Sequence, residues 1–462
     1  MPRRRSRFIF SWFALTLFLS FPRTLAQQSK PDFTELEKVA LAELAESNTP
    51  GAAIGIVSGD RLVFTKGFGV SNSETGAPVT PDMLFRLGST TKMFTAAGVV
   101  MLADEGKLKM DDPIGRHAKG LSPKIAALTA HQLLSHTSGL RDNAVMFGRH
   151  DDDALAETVR TLKDDFFFVE PGRIYSYSNP GYWLSGYLIE AVSGRHYADQ
   201  LEERIFKPLG MTQTTLRPTM AMTWPLAQGH DVQGREKPKV VRPAADNAGN
   251  WPAGSIFSSV QDLARWVIAL MHDGQLDGRQ ALSPSLFKQL SAPHAALPGS
   301  ESKYGYGLMT GKHRGLRIVE HGGSRSGYGS LIRMAPDHRV AVIILVNRTG
   351  GSLPKTAEKA LELLLPFEAR VEKPKQPIAM TEAEMARYTG VYGNQANRVE
   401  IVSKDGKLWF KGMGREAELD KIGEMRFSTM GQPTAEFALV AGANGRAEFL
   451  HLGGRTLSRI EP

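Results

Sequence analysis

The sequence contains no cysteine. That excludes disulfides, thiolate metal ligands and a lipidated N-terminal cysteine, and it removes cysteine usage as a marker of compartment. Acidic residues are missing from the first 26 positions, which hold Arg3, Arg4, Arg5, Arg7 and Arg23. The formal net charge is +8, and setting those five arginines aside leaves +3, too mild a balance for a nucleic-acid partner. Beyond the N-terminus no run approaches the ~20 apolar residues that a membrane span needs. Nor is there a Gly-x-Ser-x-Gly elbow, because Gly323-Ser324-Arg325-Ser326-Gly327 has arginine at its centre. Phosphate loops and dinucleotide fingerprints are absent, so no cofactor is implied. His131 and His136 are five apart rather than the four of a helical zinc pair, and no metal site is expected. There is no clear internal repeat or low-complexity segment.

What is present divides the 462 residues into four parts. Residues 1–26 have a basic start, an apolar run from Phe8 to Phe21 and Thr24-Leu25-Ala26 as a small-residue cleavage site, the pattern of an export signal. The mature protein is therefore expected to be periplasmic or secreted, with no stable membrane span. Residues 27–366 carry strand patterns at both ends (Ala52–Val57, Leu62–Phe68, Tyr304–Met309, Leu316–Glu320, Gly329–Met334, Val340–Val346). Helical patterns lie between them at 125–135, 153–163, 181–192, 196–205 and 259–272, and Pro354–Leu365 closes the domain. The expected fold is α+β, an antiparallel sheet built from both ends with a large helical insertion and flanking helices. Residues 367–380 are charged and proline-bearing, as in a linker. Residues 381–462 hold eight short strand patterns separated by Gly-bearing turns, which predicts a small antiparallel barrel or sandwich.

Three stretches carry candidate chemistry. In Ser89-Thr90-Thr91-Lys92 an extended segment meets a helix, so both side chains share one face of its first turn. A serine needs a base to become a nucleophile, and a lysine becomes one when burial or positive neighbours lower its pKa. The plainer alternative is helix capping with a solvated lysine. Tyr175–Gly181 reads as a loop, since Pro180 disfavours a helical residue before it. Tyr177 beside a lysine could ionise below its usual pKa near 10, and Asn179 could position both lysine and substrate. The alternative is a structural aromatic loop. Ile318–Ser324 reads as the end of a strand, where Gly322 and Gly323 permit close approach of a ligand and His321 is free to bind it or move a proton. The alternative is a turn with a surface histidine. Arg86 and Arg325 are read as solvated, with a role toward an acidic substrate as the second option. Asp151-Asp152-Asp153 is expected to cap the helix at 153–163, with Ca²⁺ binding as the second option.

Together, Ser89-Thr90-Thr91-Lys92, Tyr177-Ser178-Asn179 and His321-Gly322-Gly323 resemble the three ordered motifs of the serine β-lactamase and penicillin-binding-protein superfamily. The likeness is to its class C-like branch, which includes esterases, D-aminopeptidases and D-alanyl-D-alanine carboxypeptidases. Leu133–Leu140 resembles a further stretch of that branch. The resemblance covers about residues 33–366 and implies a β-lactamase/transpeptidase-like fold, with the C-terminal barrel that such proteins often carry. It implies Ser89 as acylated nucleophile, with Lys92 and Tyr177 activating it and protonating the leaving group. Asn179 would orient Lys92 and substrate, and the N–H groups of Ser89 and Ser324 would form the oxyanion hole. His321 stands where many relatives have lysine, which points away from lactamase and carboxypeptidase and toward the esterase and aminopeptidase relatives. The reading is an exported serine hydrolase acting on a small ester, amide or peptide. Its alternatives are a β-lactamase or D-alanyl-D-alanine carboxypeptidase, and a non-enzymatic ligand-binding protein on the same fold. The expected partner is a small-molecule or peptide substrate. Oligomeric state is unspecified.

Overall fold

A computed structural model of the chain describes Met1 and residues 31–369, 376–394, 397–430 and 435–460. The export-signal reading, apart from Met1, and part of the linker fall outside the described residues.

An eight-stranded antiparallel sheet is assembled from both ends of the segment from residue 51 to residue 346. Its strands are β1 (Gly51–Ser58), β2 (Arg61–Gly69), β3 (Ala295–Ala296), β4 (Lys303–Tyr304), β5 (Met309–His313), β6 (Leu316–Arg325), β7 (Tyr328–Ala335) and β8 (Val340–Val346), in spatial order β2-β1-β8-β7-β6-β5-β4-β3. β8 has all seven residues buried, as expected for a central strand covered on both faces. Strand alternation sends Ala341, Ile343 and Leu345 into the larger core, and Val340, Val342, Ile344 and Val346 into a second. Two helices cover the second face: α1 (Thr34–Glu46) and α5 (Pro354–Glu362). On the first face lie α2 (Lys92–Asp104), α3 (Asn179–Ser193) and α4 (Val260–Met271). α4 sits close on β1 because Gly55 has no side chain: a Cβ there would come within 2.2 Å of Val260 Cγ1.

Several local expectations are corrected. The single helix expected at 125–135 is two short ones, Pro123–Ala126 and Ala130–Leu134. Thr129 interrupts them by capping the second, with Gln132 returning the bond. The strand expected over Tyr304–Met309 breaks into β4 and β5, with Gly307 in a left-handed conformation between them. Asn179 is helical although Pro180 follows, because proline within the first turn needs no N–H partner. Asp153 makes no side-chain cap: Asp151 pairs with Arg149 and Asp152 with Arg217. Tyr388 ends a helix, Glu382–Tyr388, whose N-cap Thr381 accepts from Glu384 N–H.

The C-terminal strands β9 (Gly390–Asn394), β10 (Asn397–Lys404), β11 (Lys407–Gly412), β12 (Arg415–Lys421), β13 (Arg426–Thr429), β14 (Glu436–Ala441), β15 (Ala447–Leu452) and β16 (Arg455–Ile460) form a closed barrel. Closure leaves no sheet edge. Tyr392, Phe410, Phe427, Phe437 and Leu450 fill its interior. The described residues from Phe33 onward form one unit, and the barrel packs directly on the region that holds the three motifs. Among the described residues no helix is long and apolar enough to cross a membrane.

Candidate active site

Ser89 lies in a 3-10 turn, Gly88–Thr91, that runs into α2. The turn is pinned from three sides. Thr90 Oγ1 and Ser330 Oγ are 2.6 Å apart, Ser330 Oγ donates to Leu87 O at 2.6 Å, and Thr91 Oγ1 accepts from Ile256 N–H. β6 presses against the same turn, and glycine makes this possible: a Cβ on Gly323 would lie 1.9 Å from Leu87 O. The third motif thus sits inside a continuous strand rather than at a strand end, and it brings Ser324 beside Gly88.

Lys92 is fully buried directly beneath Ser89. Its Nζ donates to Asn179 Oδ1 and to Ala253 O, each at 2.7 Å, and lies 3.3 Å from Ser89 Oγ. Were the amine neutral, these two acceptors would take its two N–H bonds and leave its lone pair for the serine hydroxyl. Burial lowers the Lys92 pKa to about 7, with Asp142 raising it and Arg455 lowering it further. The solvated-lysine alternative is excluded.

The Tyr177 ring centroid is 4.7 Å from Lys92 Nζ. Burial pushes this phenol upward, opposite to the ionisation that the sequence allows. Its hydroxyl is buried and meets no partner at ordinary hydrogen-bond geometry among the described residues. Ser89 nevertheless lies close enough to favour the phenolate, a weaker effect than burial. Burial thus favours the protonated phenol at Tyr177, whereas it brings the Lys92 amine toward neutrality near pH 7.

His321 is buried, with both ring nitrogens engaged. Nδ1 donates to Gly322 O at 2.6 Å, and Nε2 accepts from the Tyr304 hydroxyl at 2.9 Å. Burial lowers its pKa to about 4, so the ring is neutral. It is not a surface histidine and supplies no fixed positive charge. Arg86 and Arg325 are also buried, contrary to the solvated reading, and both pair with Asp246. Their guanidinium groups brace the backbone at Ala245, and Arg325 reaches Gly254 O as well.

Ser89, Tyr177, Asn179, His321, Gly322, Gly323 and Ser324 all line one cavity of about 870 Å³, and Lys92 forms no part of its wall. Three participants escaped the sequence reading. The ring of His136 packs tilted against Tyr177, with centroids 4.2 Å apart, and its Nδ1 accepts from Ser178 N–H. Asp142 Oδ1 accepts from both Asn179 N–H and Asn179 Nδ2, at 2.8 and 3.0 Å. Arg455, on the barrel, donates to Asp142 Oδ2 from Nε at 2.7 Å. The Leu133–Leu140 stretch signals His136, whereas no local pattern marks Asp142 or Arg455.

Residues 35–365 match the family described as Beta-lactamase. The chain belongs to that family. It is 30% identical over 348 residues to "Unguisins hydrolase ungD'" of Aspergillus campestris, across 70% of this chain and 62% of that protein. The chain spans less than two thirds of the length of the curated relatives it matches, 62% to 65%. Among solved structures, the octameric penicillin-binding protein homologue from Pyrococcus abyssi aligns with TM-score 0.67 and 26% identity, over 92% of this chain and 99% of that one. The D-amino acid amidase from Ochrobactrum anthropi SV3, complexed with D-phenylalanine, aligns with TM-score 0.57 and 25% identity, over 71% and 98%. These similar proteins include one named a hydrolase and one named an amidase.

Proposed function

We propose that this chain is a serine hydrolase that cleaves a small ester, amide or peptide through an acyl-enzyme on Ser89. One observation carries the reading. A fully buried Lys92, with its pKa near 7, lies 3.3 Å from a serine hydroxyl that opens onto a cavity, its Nζ also held by Asn179 Oδ1 and Ala253 O. Lys92 takes the Ser89 proton as Oγ bonds to the substrate carbonyl carbon. The N–H groups of Ser89 and Ser324 receive the oxyanion. Tyr177, held as phenol, passes a proton to the leaving group and recovers one from Lys92. Water then attacks the acyl carbon and frees Ser89 by the reverse proton path.

The neutral His321 argues against a fixed cation for a substrate carboxylate at the third motif. This weighs against the β-lactamase and D-alanyl-D-alanine carboxypeptidase readings. The amidase and hydrolase names of relatives favour amides of small amino acids and short peptides. Steady-state turnover of a panel of D-amino acid amides, short esters and a chromogenic cephalosporin tests this, with Ser89→Ala as control. Ser89-dependent turnover of amides or esters above the cephalosporin is expected. Turnover that survives Ser89→Ala would sink the proposal. Export through residues 1–26 belongs to the same reading, and N-terminal sequencing of protein secreted by its host should begin at Gln27.

A further inference from the structure

The last barrel hairpin, β15 to β16, turns through Gly453 and Gly454, both with positive φ. A two-residue turn of this kind requires that conformation and matches the strand twist. The hairpin docks on the second motif. Gly454 O accepts from Tyr177 N–H at 2.9 Å, Thr456 Oγ1 donates to Tyr175 O at 2.9 Å, and Thr456 N–H donates to Ser176 Oγ at 3.1 Å. From its tip Arg455 stacks its guanidinium over the Tyr177 ring, 5.2 Å from the centroid, and clasps Asp142 through Nε and Nη2 at 2.7 and 2.6 Å. The other Asp142 oxygen holds the Asn179 backbone and amide. The remaining Asn179 oxygen holds Lys92 Nζ.

We infer that Arg455 of the barrel is a positioning residue for the proposed base, acting on Lys92 through Asp142 and Asn179. The inference rests on the serine-hydrolase reading for its functional meaning, but the linkage itself does not. Asn179 offers one oxygen and one NH2, and Asp142 fixes which end faces Lys92. Without Arg455 the carboxylate of Asp142, whose side chain is only 16% exposed, loses its ion-pair partner and the clasp loosens. Charge follows the same route. The groups that face Lys92 are the rings of Tyr177 and Tyr182, the neutral His136 and His321, Asp142 and Arg455. Asp142 favours the ammonium and Arg455 opposes it.

The test is an NMR titration of the full chain carrying isotope-labelled lysine Cε, with the Lys92 signal assigned by its loss in Lys92→Arg. Arg455→Met is expected to move the Lys92 midpoint upward by about half a pH unit, and Asp142→Asn to move it downward. Arg455→Lys should restore most of the wild-type value, and the double variant should fall between the two single ones. Midpoints that move in the same direction, or do not move, overturn the inference, because general loosening has no reason to act with opposite signs. On a substrate that wild type turns over, Arg455→Met should lower kcat more than it raises KM. Turnover that persists in Ser89→Ala contradicts the hydrolase reading and leaves the titration result standing, so the two failures are distinguishable.

Discussion

The base proposed at Lys92 must be neutral, and burial brings its pKa down to about 7. Activity is therefore expected to rise with pH through about 7 as the ammonium deprotonates, a limb that a kcat/KM profile would show. Lys92→Arg, which stays charged, should cost at least about 100-fold in kcat. Stability carries the same signature. An unfolded lysine titrates near 10.4, and the native one at about 7. Between those pH values the unfolded chain binds more protons, so Lys92 makes stability rise with pH, by at most about 1.4 kcal/mol per pH unit. Urea unfolding at pH 7 and pH 9 should lose that increment in Lys92→Met. Gly323 sets a steric limit beside it. A Cβ there would lie 1.9 Å from Leu87 O and 2.4 Å from Ser330 Oγ. Gly323→Ala should destabilise the fold by about 1–3 kcal/mol and displace the Ser89 turn, seen as a lower Tm with loss of turnover.

At the scale of elements, side-chain caps close the N-terminal ends of helices. Glu43, buried on α1, accepts from Lys355 N–H, Thr356 N–H and Thr356 Oγ1, and so closes the N-terminus of α5. Glu43→Ala should cost about 2–3 kcal/mol by denaturant unfolding, since it strands buried donors. Thr129 caps the short helix that leads to His136, and Thr129→Ala should cost about 1 kcal/mol. A continuous apolar run made the central strand readable: β8 has the range expected from Val340 to Val346. Where reading failed, a local bond overrode the pattern. Thr129 cut one helical run in two, and Gly307 cut one strand. β6 ran on past Glu320 because β7 pairs with it as far as Arg325.

For the whole molecule, the motifs were legible because each is contiguous, but their supports were not. Arg455 and Asp142 are 313 residues apart in the chain, and neither lies in a pattern that announces a contact. Arg86 and Arg325 looked solvated because composition cannot show that Asp246 waits to pair with both. The closed barrel was anticipated as strands, but its hairpin against Tyr175–Tyr177 arises only from docking. A chain ending at residue 366 should therefore lose most turnover on any substrate the full chain cleaves. The proposed chemistry requires that Ser89 become acylated. An intact-mass time course with an activated ester or a penicillin, run beside Ser89→Ala and followed by peptide mapping, tests it most directly. The account predicts a transient or lasting adduct of one acyl group on the peptide bearing Ser89, absent in the variant. Turnover with no adduct at any time, or an adduct that persists in Ser89→Ala, would contradict it.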